Sequence, residues 1–121
     1  MGMDISFVRY VGDKPIYAEG DEVQGWDRCR IILEMTRLWY KESRDSDGEH
    51  QQIWIDQVAL ERANAVLPWT LERYFKWRAK HLREIGPWEF RYCYTQQEAF
   101  DRARSFIRDA CLNGHGASVS F

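Results

Sequence analysis

The chain has 121 residues, 45% hydrophobic, 15% aromatic and 30% charged, with a formal net charge of −2. That length and apolar content suit one self-sufficient domain, expected to span 1–121, far from the charged, apolar-poor compositions that stay disordered. They exclude a bilayer-spanning helix, because no apolar run approaches roughly 20 residues, and the near-balanced charge gives no global field that would itself select a nucleic acid or a membrane.

The first predicted element is a strand over Asp4–Val11, where Ile5, Phe7, Arg9 and Val11 alternate with Ser6, Val8 and Tyr10. Gly12-Asp13-Lys14-Pro15 is turn chemistry, and 15–18 is expected to return as a short edge strand, since Pro15 has no amide hydrogen to give a neighbour. The acidic stretch Glu19-Gly20-Asp21-Glu22 reads as a loop. From about 24 to 40, Trp26, Cys29, Ile32, Leu33, Met35, Thr36, Trp39 and Tyr40 recur at helical spacing, interleaved with Asp27, Arg28, Arg30, Glu34, Arg37 and Lys41. Residues 42–49 contain no apolar side chain and read as an exposed loop. Residues 53–55 suit either a short strand or the opening of the next helix.

Asp56 is a good N-cap for a helix over 57–67, and Pro68 stops that helix because it lacks the amide hydrogen and biases Leu67 away from helical backbone. Thr70 then caps a helix over 71–85, with Leu71, Tyr74, Phe75, Arg78, Leu82 and Ile85 along one face and Gly86-Pro87 at its end. The alternation of Trp88, Phe90, Tyr92 and Tyr94 with Glu89, Arg91 and Cys93 predicts a strand over 88–94. Thr95 and Glu98 match a capping box ahead of a last helix carrying Ala99, Phe100, Ala103, Phe106, Ile107 and Ala110. Asn113-Gly114 is its C-cap, and 117–121 is either a final strand or a tail. The pattern predicts an α+β fold, a small antiparallel sheet (the N-terminal strand or hairpin plus strand 88–94) packed against three to four helices. A mostly helical fold is the alternative.

Chemistry-bearing residues are scattered. His50, His81 and His115 lie in different elements with no ligand spacing between them, so neither a metal nor a cofactor is expected. Asp45-Ser46-Asp47-Gly48-Glu49 places its glycine too early for a calcium loop. Residues 113–116 follow a helix, where a phosphate cradle would precede one. Cys29, Cys93 and Cys111 are odd in number and widely spaced, which argues for free thiols in a reducing cytoplasm. An N-terminus with neither a basic start nor an apolar stretch points the same way. Cys93, beside Arg91, is the only thiol considered as a nucleophile, and no local signature supports it; no catalytic residue is assigned.

Charge is unevenly distributed: residues 1–69 carry 13 acids and 8 bases, while 70–121 carry 6 acids and 9 bases. Two candidate partner surfaces follow. One is acidic, formed by Asp13, Glu19, Asp21, Glu22, Asp45, Asp47 and Glu49. The other is the basic, aromatic helix 71–85, where Arg73, Lys76, Lys80 and Arg83 recur at helical spacing beside Trp77, with Arg102, Arg104 and Arg108 of the last helix as an extension. The ordinary role of such a stripe is a solvated helix face. With a surplus of Trp and Tyr, the expected function is a small non-enzymatic protein-binding antagonist, of the immunity-protein or phage-inhibitor kind, that occludes a toxin or a defence-complex subunit. The alternatives are a nucleic-acid-binding or regulatory protein working through helix 71–85, and an enzyme of an uncommon fold.

Overall fold

The computed structural model describes residues 3–36, 52–80 and 96–120. The N-terminal alternation is realised as β1 (Asp4–Val11), which turns through Gly12 and Asp13 into β2 (Lys14–Tyr17), with Val11 opposite Lys14 and Val8 opposite Tyr17. A further short strand, β3 (Val23–Gln24), pairs with the other end of β1, so β2 and β3 lie end to end along one edge. Between them the Ala18 amide donates to the Phe7 carbonyl, which holds the start of the acidic loop to the sheet.

Both ambiguous segments are strands. Residues 53–55 belong to β4 (Gln52–Ile55) and 117–120 to β5 (Gly116–Ser120), while Phe121 lies outside the described residues. Among the described residues every strand pair is antiparallel, in the order β2-β1-β5-β4, with β3 beside β1. The C-terminal strand is thus the inner neighbour of β1, with Ile5 opposite Val119 and Phe7 opposite Ala117. Because β5 ends its pairing with β1 at Val8, the outer half of the hairpin overhangs it, and Arg9, Tyr10 and Val11 are exposed although the alternation continues through them. The strand expected over 88–94 lies outside the described residues.

The sheet face carrying Ile5, Phe7, Val23, Ile55, Ala117 and Val119 is buried in a common core with the helices. These are α1 (Trp26–Thr36), α2 (Gln57–Ala65), α3 (Leu71–Lys80) and α4 (Gln97–Asn113). With five strands and four helices among the described residues, the fold is α+β. α4 is the hub, packing on both α1 and α2 through Ala99, Phe100, Ala103, Phe106, Ile107 and Ala110, the face its periodicity predicts. The Phe106 ring stacks on Phe7 of the sheet with centroids 4.1 Å apart.

Helix ends follow local chemistry in three of four cases. The Asp56 side chain accepts from the Ala59 amide, the Thr70 hydroxyl accepts from the Arg73 amide, and Gly114 closes α4 with φ 66° while the His115 amide returns to the Ala110 carbonyl. The fourth departs from expectation. α4 starts after Gln96, which makes no side-chain cap bond, and Glu98 instead takes both Nε and Nη2 of Arg28, at 2.9 and 2.8 Å. A bidentate guanidinium outcompetes a neutral amide for a carboxylate, so Glu98 is held by Arg28; Thr95, the hydroxyl half of the expected capping box, lies outside the described residues.

α1 departs further. Every residue from 29 to 36 is buried, including Arg30 and Glu34, which the helical pattern sets among its charged positions. Arg30 Nη1 donates to Glu34 Oε1 at 3.0 Å, the Tyr74 hydroxyl of α3 donates to Glu34 Oε2, and Arg78 Nε lies 3.5 Å from that same oxygen. One carboxylate therefore joins two arginines and a phenol where α1 meets α3, and α3 turns Tyr74 and Arg78 inward to reach it.

Candidate functional site

The link from α2 to α3 exposes an aromatic side chain. Pro68 is buried and ends α2, Thr70 starts α3, and between them Trp69 stays 65% exposed. α4 passes alongside. Arg104 Nη1 donates to the Trp69 carbonyl, and the Arg104 guanidinium lies 5.3 Å from the Trp69 ring centre and 5.9 Å from that of Phe100, one turn earlier on its own helix. Arg108, one turn later on the same face, holds its guanidinium 5.5 Å from Trp69. These distances are within cation–π range, so the indole and the two arginines order one another.

The three residues, with Asn64, Ala65 and Leu67, wall an open cleft of about 230 Å³, and among the described residues none that lines it is acidic. A second depression of about 270 Å³ shares Arg104 and Arg108 and continues past Ser105, Asp101, Asp109 and Leu112. Among the described residues no carboxylate lies within ion-pair distance of Arg104 or Arg108. Val66 and Leu112, 55% and 80% exposed, add apolar surface near the two depressions. The arrangement can hold an oxyanion between two guanidinium groups and an apolar or planar group near the indole.

The residues singled out in the sequence are placed unevenly. Asp13 is at the hairpin tip, whereas Glu19, Asp21 and Glu22 lie at the opposite end of β2, and the Glu22 carboxylate already accepts from Ser6 and Gln24. Asp45, Asp47 and Glu49 lie outside the described residues. Arg73, Lys76 and Lys80 are exposed on α3, with Lys76 3.4 Å from Glu72; Arg83 lies outside the described residues. Trp77 is half-buried, packed against the core and stacked on Tyr74 at 6.3 Å. Arg102 donates to the Asp21 and Glu22 carbonyls, because two residues of helix carry its side chain around to a different face from Arg104. Trp69 is the residue the sequence reading missed. The only local signal was a large aromatic between a helix-stopping proline and a capping threonine, where backbone geometry leaves little to bury it.

Cys29 and Cys111 are free thiols. Burial, and then the charge of Asp4, pushes Cys29 up to about 12, which keeps it protonated and unreactive. Cys93, His50 and His81 lie outside the described residues. No group of three or more His, Cys, Asp or Glu among the described residues is arranged to hold a metal ion. No described helix is long and apolar enough to cross a membrane. No protein-family model, curated protein or solved structure matches the chain.

Proposed function

We propose that this protein is a small non-enzymatic binding module that acts as an antagonist, occluding a surface of a protein partner such as a toxin or a defence-complex subunit. The observation that carries this reading is the joining of Trp69, Arg104 and Arg108 on one open surface. Tryptophan and arginine are the residue types that most often dominate binding energy at protein interfaces, through large contact area and directional, charge-assisted hydrogen bonds. The free thiols Cys29 and Cys111 suit a reducing, cytoplasmic setting.

A nucleic-acid-binding reading draws on the exposed cations Arg73, Lys76 and Lys80 of α3. It is weaker, because Trp77, the aromatic intended for base stacking, is half-buried against Tyr74, and Lys76 is engaged by Glu72. Affinity capture with the tagged chain, with and without nuclease, separates the two. One stoichiometric protein that survives nuclease and is lost with Trp69→Ala supports the antagonist reading. Captured material that disappears with nuclease, and whose binding weakens steeply with salt, replaces it with the second.

A further inference from the structure

We infer that the cleft between Trp69, Arg104 and Arg108 is a carboxylate clamp that receives an acidic segment of the protein partner, an Asp or Glu side chain lying between the two guanidinium groups with an apolar neighbour against the indole. The inference rests on the protein-binding reading above and names the chemistry of its ligand.

Three observations carry it. Arg104 and Arg108 lie one turn apart on the same helix face, where like charges disfavour the helix, yet no carboxylate among the described residues neutralises either one. An anion entering the cleft therefore meets two guanidinium charges that have no carboxylate within ion-pair distance among the described residues. Second, the Arg104 guanidinium is held in place by the Trp69 carbonyl and by the rings of Trp69 and Phe100, so little rotamer freedom remains to be lost on binding. Third, the exposed apolar side chains Val66 and Leu112 suit a segment that alternates acidic and apolar residues rather than a polyphosphate chain.

The test is selection of a displayed library of random dodecapeptides on the intact chain, with labelled oligothymidylate as the competing probe. Enriched peptides are expected to carry Asp or Glu next to an apolar or aromatic residue. Arg108→Glu, at an exposed position, is expected to weaken them by about tenfold or more, while Lys14→Glu, the same charge change on the hairpin, leaves them bound. Arg104→Gln, checked for an unchanged thermal midpoint, should weaken them too. Peptides that enrich without acidic positions, or whose binding survives Arg108→Glu, overturn the clamp and leave the protein-binding reading standing. If no peptide enriches while oligothymidylate binds through the same two arginines, both readings fall.

Discussion

Glu34 shows how much a single side chain carries in this molecule. Its carboxylate is 1% exposed and meets Arg30, Tyr74 and Arg78, so neutralising it removes a negative charge from beside two buried guanidinium groups. Glu34→Gln should cost about 3–5 kcal/mol, read from the urea midpoint, whereas Tyr74→Phe, which removes one hydrogen bond to a charged acceptor, should cost about 1.5–3 kcal/mol. The same interior predicts an alkaline limit. Burial first, and then the Glu34 charge, holds the Tyr74 phenol well above its ordinary 10.0, and burial holds Cys29 at about 12 against an ordinary 9.0. Above those ordinary values the unfolded chain releases protons that the folded chain keeps. Stability is therefore full below about pH 9 and falls as pH rises, by up to about 1.4 kcal/mol per pH unit for each group. Urea unfolding at about pH 8 and about pH 10.5 measures the loss, and Tyr74→Phe should remove part of it. Equal stability at both values would contradict the burial of these two groups.

At the scale of elements, helix ends were legible wherever the cap is local. Asp56, Thr70 and Gly114 each satisfy a backbone group within a few residues of themselves, so residue type and position suffice to find them. Asp56→Ala should cost about 1 kcal/mol through the lost cap. Gly114→Ala should cost about 1–2 kcal/mol, because a Cβ strains the left-handed conformation at φ 66°. Gly116→Ala should exceed both in thermal scans. Its Cβ would lie 2.6 Å from the Ile55 carbonyl oxygen and 2.9 Å from the Tyr10 ring, forcing β4 and β5 apart. Glu98 was misread as a capping residue because its actual partner, Arg28, is seventy residues away. With the Glu98 side chain 62% exposed and that of Arg28 38%, the pair should be worth less than about 1 kcal/mol, so Glu98→Ala should shift the midpoint little.

Topology governs the molecule as a whole. β5 is the last described element and lies between β1 and β4, so its removal breaks the ladder that joins β4 to the β1–β2 hairpin. Truncation after Gly114 should abolish cooperative unfolding and near-ultraviolet circular dichroism, whereas shortening the overhanging hairpin tip around Gly12 and Asp13 should leave both in place. A truncated chain that still unfolds cooperatively would contradict the inner position of β5. The split of the acidic residues is also a whole-molecule effect, since β2 separates Asp13 from Glu19, Asp21 and Glu22 by its length. Sequence proximity overstated how closely those charges sit.

Residue order suffices for what depends on near neighbours: the α+β class, the alternation of β1, the buried face of α4 and three helix ends. Each is set by a period of two or about 3.6 residues, or by a cap reaching only a few positions. The tertiary structure alone decided the inner place of the C-terminal strand, the inward turn of Arg30, Glu34 and Arg78, and the meeting of Trp69 with Arg104 and Arg108. A charged residue is outward by default because leaving water is costly. Only when another element brings its counter-charge to the same place does burial become tolerable, and that meeting is a property of the folded chain rather than of any one segment.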